Sequence, residues 1–294
     1  MPPVKEITII SGKGGTGKTT VTAALATAGQ DLVLCDGDVD APDLHLILHP
    51  EIMESHVFEG NWIASIDPEI CANCGICEEY CRFDAITMNG EGQRSIQPHK
   101  CEGCRLCERI CPSRAISSRR STNNHWFVSH TRAGLMTHAR MGPGEENSGK
   151  LVTRVRQKAK ELARQNGSKY LLTDGPPGTG CATIASVTGA DGVLLVMEPS
   201  LSSLHDAGRV LDLVKSFQIP VYALLNKCDI HPGMTAQIAD YLESRQVKLL
   251  GKIPFDDGAV KAMIRGQSLI EYAGASPLSN MIRSVWDQLS QIAE

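Results

Sequence analysis

The chain has 294 residues, enough for one sizeable α/β core and a small additional domain. Its formal net charge of -4 argues against a nucleic-acid binder that works through bulk positive charge. No apolar run is long enough for a membrane-spanning helix, and residues 1–10 lack the pattern of a signal peptide. With 11 cysteines and no secretion signal, we expect a cytoplasmic protein whose cysteines bind metal.

A short apolar strand, Lys5–Ile10, leads directly into a glycine-rich loop and a helix, Lys18–Gln30. The loop matches GxxxxGK followed by Ser or Thr, the pattern of a phosphate-binding loop in this context. Glycines allow backbone N–H groups to surround phosphate oxygens, and the helix N-terminus adds positive potential. A plain glycine-rich turn is the alternative, but the final Lys-Thr pair favours nucleotide binding. The predicted nucleotide-binding residues are Gly12, Lys13, Gly14, Gly15, Thr16, Gly17, Lys18, Thr19 and Thr20.

Eight cysteines follow the second strand, Asp31–Cys35, and form two runs of identical spacing, offset by 30 residues. This repeat indicates a bacterial ferredoxin-like insert with two [4Fe–4S] clusters, in which the fourth cysteine of each run binds the other cluster. Two structural zinc sites are a weaker alternative, and a disulfide framework is weaker still. One departure is Arg82, which stands where the pattern has proline. We assign Cys71, Cys74, Cys77 and Cys111 to one cluster, and Cys101, Cys104, Cys107 and Cys81 to the other.

The rest of the chain alternates apolar strands with helices, which predicts an α/β protein with a mostly parallel sheet covered on both faces. The last helix, Leu278–Ile292, is amphipathic without a basic face, so we expect it to close the core rather than anchor the chain to a membrane. The domain prediction is an ATPase domain at 1–62 and 113–294, with the α+β ferredoxin domain at 63–112. The other predicted elements are Trp126–Val128, Lys150–Asn166, Lys169–Thr173, Gly192–Met197, Val221–Leu225 and Lys248–Ile253.

The second lysine of the loop, Lys13, makes it resemble the deviant Walker A loop of the MinD/Mrp, ParA, arsenite-pump and nitrogenase iron protein ATPases. The segments Asp36-Gly37-Asp38 and Asp174-Gly175-Pro176 resemble further motifs of that family. The resemblance implies that Asp38 orients the attacking water and that Asp174, with Thr19, serves Mg²⁺. It also implies that Lys13 crosses a dimer interface and that Asn226 contacts adenine. The predicted catalytic residues are Lys18, Lys13, Asp38 and Asp174.

Three cysteines lie outside the two runs. Cys35 and Cys228 belong to apolar strands or their ends, and we expect small buried side chains there. Cys181 lies seven residues after Asp174, a spacing that the nitrogenase iron protein also has for a cluster-binding cysteine. Cys181 is therefore a candidate for a bridging cluster at a dimer interface, although a structural role is the commoner one. The segment from His138 to Val152 is either an ordered loop and helix cap or a contact for an effector or second subunit.

The resemblance as a whole implies a MinD/Mrp-type ATPase with an inserted ferredoxin domain. Its expected cofactors are ATP or ADP, Mg²⁺ and two [4Fe–4S] clusters, with slow ATP hydrolysis. We expect a homodimer, or a heterodimer with a similar ATPase, and a redox or iron–sulfur partner protein. Electron transfer controlled by nucleotide is the leading function. Iron–sulfur cluster assembly or delivery is the first alternative, and a MinD-like positioning ATPase is the second.

Overall fold

The structure is a computed structural model that describes residues 3–145 and 148–293, without the side chains of Ile292 and Ala293. Parts of the predicted ATPase domain and of the 138–152 segment therefore lie outside the described residues. The strands are β1 (Lys5–Ser11), β2 (Leu32–Asp36), β3 (Glu51–Phe58), β4 (Trp62–Ile66), β5 (Ile86–Met88), β6 (Arg94–Ile96), β7 (Ile116–Arg120), β8 (Asn124–Thr131), β9 (Gly134–Arg140), β10 (Tyr170–Pro177), β11 (Gly192–Met197), β12 (Val221–Asn226) and β13 (Lys248–Ile253). The helices are α1 (Lys18–Ala28), α2 (Leu44–Leu48), α3 (Ile76–Glu79), α4 (Leu106–Ile110), α5 (Ser148–Asn166), α6 (Cys181–Val187), α7 (Leu201–Ser216), α8 (Pro232–Ser244), α9 (Gly258–Ile264), α10 (Leu269–Ala273) and α11 (Pro277–Ala293).

The chain divides into two compact units. The larger unit comprises residues 1–55, 126–139 and 148–294, and the smaller unit comprises 56–125 and 140–147. The larger unit carries a nine-stranded sheet in the order β13-β12-β11-β1-β10-β2-β9-β8-β3. The pairs from β13 to β9 are parallel, as predicted from the alternation of strands and helices.

Consecutive residues of the central strands pack into two different apolar clusters, which is expected of strands buried on both faces. Ile9 belongs to the cluster formed with α1, α10 and α11, while Ile10 belongs to the cluster formed with α7 and α8. The last helix buries Leu278, Ile282 and Val285 in the first cluster, so it closes the core as predicted. The predicted mostly parallel sheet with helices on both faces is confirmed. None of the helices in the described ranges combines the length and apolarity needed to cross a bilayer.

The smaller unit is built from a repeated strand–helix–strand element. β4, α3 and β5 correspond to β6, α4 and β7 at the 30-residue offset of the sequence repeat. The halves exchange partners, since β4 pairs antiparallel with β7 and β5 pairs antiparallel with β6. Its interior is small and rich in sulfur, because cysteine side chains pack around the buried residues Ala64, Cys77, Ile86 and Ile116.

Candidate functional site

The carboxyl ends of the parallel strands bring the predicted nucleotide-site residues to one edge of the sheet. β1 runs into the glycine-rich loop, β2 ends at Asp36, and Asp174 lies in β10 opposite Asp36. β12 ends at Asn226, two strands from β1 on the other side. Ligands of open α/β sheets bind at this edge, so the topology creates the candidate site.

Two glycines of the loop between β1 and α1 have left-handed backbone conformations, with φ of 82° at Gly15 and 88° at Gly17. Such angles favour glycine because other residues carry a clashing Cβ. Gly12 is required for a different reason. A Cβ there would lie 2.8 Å from Asp206 Cβ, so this glycine allows α7 to approach the loop.

The loop forms one wall of an open cleft of about 1290 Å³. Seven of the nine predicted loop residues line this cleft, namely Gly14, Gly15, Thr16, Gly17, Lys18, Thr19 and Thr20. The hydroxyl of Thr16 is buried and has no hydrogen-bond partner among the described residues. The arrangement suits a phosphate chain, which would offer acceptors to such donors.

Lys18 lies at the base of the cleft, 6% exposed, between two carboxylates. Its Nζ is 3.0 Å from Asp174 Oδ1 and 3.5 Å from Asp38 Oδ2. Burial acts to lower the pKa of Lys18, but the charges of Asp174 and Asp38 outweigh it and raise the pKa. Lys18 therefore stays an ammonium ion, the form that stabilises phosphate charge.

Asp174 is fully buried and accepts hydrogen bonds from two threonines of α1. Thr19 donates to Oδ2 over 2.8 Å and Thr22 donates to Oδ1 over 2.7 Å. Thr19 lines the cleft, and Asp174 lies buried directly behind its hydroxyl. Both side chains carry oxygen, the ligand atom that Mg²⁺ prefers. Thr22 was not predicted as a site residue from the sequence, although its position one helical turn after Lys18 places it on the same face of α1.

The two aspartates after β2 have different surroundings. Asp36 is fully buried and accepts hydrogen bonds from the backbone N–H groups of Asp38 and Leu44, at 3.2 and 3.3 Å. Burial, followed by the charge of Asp174, raises the pKa of Asp36 well above its usual value. Asp38 lines the cleft and contacts Lys18. Asp36 therefore orders the backbone after β2, while Asp38 is the carboxylate that faces the cleft.

Lys13 does not line the cleft. Its Nζ forms an ion pair with Glu198 Oε1 at 2.6 Å, just beyond the end of β11. The second oxygen of Glu198 is 2.8 Å from Lys227 Nζ, and Lys227 also donates to the carbonyl oxygen of Gly15 over 2.7 Å. Burial opposes ionisation of Glu198, but hydrogen bonds from both lysines lower its pKa. Glu198 and Lys227 were not predicted as site residues from the sequence, although each follows a buried strand at the same sheet edge.

Asn226 ties β12 to the glycine-rich loop, because its Nδ2 donates to the carbonyl oxygen of Thr16 over 2.8 Å. It also lines a second cleft of about 830 Å³, beside the first. The segment Pro254-Phe255-Asp256 and the side chain of Val260 form the opposite wall. This largely apolar pocket next to the loop is suited to a planar base, and the adenine contact of Asn226 stays a prediction.

The eight cysteines of the two runs line two cavities inside the smaller unit. Cys71, Cys74 and Cys77 share a small cavity with Cys111 of the other run. In the same way, the small cavity that is lined by Cys101, Cys104 and Cys107 is also lined by Cys81. Cys77 lines the second cavity too. Each cavity thus includes the four cysteines assigned to one cluster from the sequence, and the clusters themselves stay a prediction.

Within residues 3–145 and 148–293, no three His, Cys, Asp or Glu side chains are placed to hold one metal ion. A cubane cluster binds its four thiolates through different irons, so its ligands are spread more widely than those of a single ion. The free cysteines that line the two cavities, with Cys77 lining both, supply the thiolates that such clusters need.

The three remaining cysteines belong to the larger unit. Cys35 is completely buried in β2, as predicted, and burial raises its pKa to about 12. Cys228 is partly buried, so the prediction of a buried side chain is only partly met. Cys181 is exposed at the start of α6 and lines the cleft of the glycine-rich loop. Its predicted role at a dimer interface stays a prediction.

Comparison with known proteins agrees with this geometry. Residues 7–270 match the family model described as the CobQ/CobB/MinD/ParA nucleotide binding domain. An uncharacterized protein of Methanocaldococcus jannaschii is 29% identical over 98% of this chain and 97% of its own length. The septum site-determining protein MinD of Buchnera aphidicola is 23% identical over 90% of this chain and 83% of its own length.

The fold is shared with a solved structure of the septum site-determining protein MinD complexed with Mg-ADP from Pyrococcus horikoshii. The TM-score is 0.58 at 19% identity, with 99% of this chain and 97% of that chain covered. The family match covers most of the chain, including the glycine-rich loop and every strand of the parallel core. The chain therefore belongs to the CobQ/CobB/MinD/ParA nucleotide-binding family and is a P-loop ATPase of the MinD/ParA type.

Proposed function

We propose that this ATPase couples its nucleotide state to one-electron transfer through two [4Fe–4S] clusters held by the smaller unit. The observation that carries the proposal is the pair of cavities, because each is lined by three cysteines of one run and also by the fourth cysteine of the other run. Two independent zinc sites would not require this exchange of the fourth cysteine. When bound, the clusters supply the one-electron redox chemistry.

The small interior of the cysteine-containing unit supports the proposal independently. Among the described residues, its apolar cluster has a buried part formed by Ala64, Cys77, Ile86 and Ile116. The partly buried residues packed against it are Ile66, Ile96, Cys81, Cys101, Cys107 and Cys111. A unit with so little apolar core usually needs metal or disulfide cross-links to be stable. We place the ferredoxin domain at 63–112 within this unit and the ATPase domain at 1–62 and 113–294.

For ATP hydrolysis we propose distinct roles for the side chains in the cleft. Lys18 holds positive charge against the phosphates, and Asp38 orients the attacking water. Thr19 and Asp174 supply oxygen ligands to Mg²⁺, which neutralises phosphate charge when bound. Backbone N–H groups from Gly12 to Thr20 bind the phosphate oxygens, and Asn226 contacts adenine.

Lys13 is the residue that we propose to act in trans, in a homodimer or a heterodimer with a similar ATPase. Its ammonium group is 2.6 Å from Glu198 of the same chain. This ion pair must open before Lys13 reaches a nucleotide bound by a second subunit. A redox or iron–sulfur protein is the proposed electron partner.

Two other functions have specific support. Similarity to septum site-determining MinD proteins favours a positioning ATPase, since those relatives span nearly the same length. Cluster assembly or delivery is the other candidate, because the cysteines would also suit a protein that releases its clusters. The MinD-like function does not account for eight cysteines arranged around two cavities.

The test is anaerobic purification followed by iron and sulfide analysis and redox titration. We expect about eight irons and eight sulfides per chain. The titration is repeated with no nucleotide, with ADP and with a non-hydrolysable ATP analogue. A nucleotide-dependent shift in potential supports electron transfer, whereas ATP-driven transfer of iron and sulfide to an apo-acceptor favours delivery. A protein that hydrolyses ATP but contains neither iron nor sulfide would refute both and favour the positioning function.

A further inference from the structure

The two cysteine cavities have linings that correspond residue by residue. Adding 30 to Ile66, Cys71, Cys74 and Cys77 gives Ile96, Cys101, Cys104 and Cys107, and all eight residues line their respective cavities. Subtracting 30 from Cys111 gives Cys81, which likewise lines the other cavity. The repeated unit therefore contains two equivalent sites, here named the Cys71 site and the Cys101 site, and their differences can be identified one position at a time.

The first difference is a cation. Arg94 lines the Cys71 site, and its counterpart at the Cys101 site is Ala64. Arg94 is held in place, because its Nη1 donates to the carbonyl oxygen of Asn73 over 2.8 Å and its Nε donates to Glu78 over 2.9 Å. A Cβ at Gly75 would lie 2.9 Å from Arg94 Nη2, so the glycine gives the guanidinium room against the cysteine loop.

The second difference is that the Cys101 site has an acidic residue and a cation at positions where the Cys71 site has uncharged residues. Glu102 lines the Cys101 site where the Cys71 site has Ala72. The Cys101 site also has a cation of its own, Arg105, where the Cys71 site has Gly75. Arg105 Nε is 2.8 Å from Glu108, and its guanidinium stacks 4.3 Å from the centre of the Trp62 ring. The charge of Arg105 is thus neutralised within the unit, and Glu102 adds an exposed, partly screened negative charge.

The two arginine–glutamate pairs differ in which member is the more buried. At the Cys71 site the arginine is the buried member, with side-chain exposures of 13% for Arg94 and 40% for Glu78. At the Cys101 site the order is reversed, with 35% for Arg105 and 24% for Glu108. Water screens an exposed charge more strongly than a buried one. The Cys71 site therefore experiences the cation of its pair more strongly than the Cys101 site does.

The third difference concerns hydrogen bonds to sulfur. The backbone N–H of Ala115 donates to Cys111 Sγ over 3.3 Å, and the Ser113 hydroxyl lies 3.6 Å from the same sulfur. The counterpart of Ser113 at the Cys101 site is Phe83, which has no hydroxyl. Hydrogen bonds to a thiolate and nearby positive charge both stabilise the reduced, more negative form of a cluster.

We propose that the two sites are not equivalent in redox potential, and that Arg94, Ser113 and Glu102 give the cluster held at the Cys71 site the more positive potential. This inference rests on the proposed function and adds the order in which the two clusters accept electrons. The Cys71 site becomes the one reduced first, and the Cys101 site the one that donates with the greater driving force. The chain would thus set an order of reduction between two sites with identical ligands.

The experiment is a potentiometric titration of the intact protein, followed by low-temperature electron paramagnetic resonance, in the wild type and four variants. Arg94→Gln and Ser113→Ala should each shift the more positive transition to a more negative potential and leave the other in place. Glu102→Gln should shift the more negative transition to a more positive potential. Arg94→Lys is the matched control, because it keeps the charge and should preserve most of the wild-type separation.

Iron and sulfide content distinguishes a failure of the proposed function from a failure of this inference alone. A chain without clusters refutes the proposed function and this inference with it. Fully loaded clusters with one common potential, or Arg94→Gln acting on the more negative transition, would overturn the inference alone. If Arg94→Gln loses iron because the cysteine loop is no longer held, Ser113→Ala and Glu102→Gln still decide, since neither side chain holds that loop.

Discussion

Lys13 and Glu198 are joined by an ion pair in which Lys13 Nζ lies 2.6 Å from Glu198 Oε1. The pair links the start of the glycine-rich loop to the residue after β11, and Lys227 bridges from Glu198 back to the carbonyl oxygen of Gly15. Side-chain exposures of 27% for Lys13 and 17% for Glu198 leave the pair accessible to water. The loop is therefore held by contacts that an incoming subunit can replace.

Replacement of Glu198 by glutamine should make Lys13 easier to release. A partly exposed ion pair stabilises a protein by about 0.5 to 1 kcal/mol, which corresponds to about a two- to fivefold change in an equilibrium. We expect half-maximal self-association of Glu198→Gln at about two- to fivefold lower ATP concentration, measured by analytical ultracentrifugation. In a Lys13→Ala background the same substitution should have no such effect. Equal ATP dependence of Glu198→Gln and wild type would show that this ion pair does not restrain Lys13.

Substitution of Lys18 by alanine should abolish ATP turnover. The ammonium group is buried and lies 3.0 Å from Asp174, so it is the fixed positive charge at the base of the cleft. Loss of one such charged group typically lowers turnover by at least about 100-fold. Iron and sulfide content should stay at the wild-type level, because all eight cysteines proposed to bind the clusters belong to the smaller unit. Turnover close to wild type would refute the assigned role.

The two threonines that donate to Asp174 should have separable effects. Thr19 lines the cleft, so Thr19→Ala should raise the Mg²⁺ concentration for half-maximal turnover about tenfold or more. Thr22 is fully buried, so Thr22→Val should lower the free energy of unfolding by about 1 to 2 kcal/mol and change the Mg²⁺ dependence little. Magnesium titrations of turnover and urea unfolding measure both. Identical Mg²⁺ dependence for the two variants would contradict this division of roles.

His138 should make the stability of the larger unit depend on pH. Burial, and to a lesser extent the charge of His45, lowers the pKa of His138 to about 4. The unfolded chain then binds the proton below about pH 6.5 while the folded chain does not, so stability falls as the pH falls from about 6.5 to about 4. The full effect is about 3 kcal/mol.

Urea unfolding of wild type and His138→Gln at several pH values measures this contribution. The wild type should lose more stability than the variant between about pH 7 and pH 5, and the difference belongs to His138. His205→Gln is the matched control, because the His205 side chain is 76% exposed. Parallel curves for wild type and His138→Gln would rule out His138 as the source.

Much of the fold and of both candidate sites could be predicted from patterns that are local in the chain. Central strands such as β11 were recognisable because both of their faces are buried, so the sequence is continuously apolar. Less regular elements were missed, among them β3, β4, β7, β9 and α2. β3 is largely exposed, which leaves it without a clear apolar pattern. The glycine-rich loop was recognisable because its left-handed positions demand glycine at fixed spacing.

The sequence by itself determined the nucleotide-site residues of the loop, the alternation of strands and helices, and the two interleaved sets of four cysteines. Each of these depends on backbone geometry within a short segment or on an internal repeat. Only the tertiary structure decided which side chains meet: Thr19 with Asp174, 155 residues apart, Lys13 with Glu198, and Arg94 beside one cysteine cavity. Such partners are set by the order of strands in the sheet and by packing, so no local spacing in the chain encodes them.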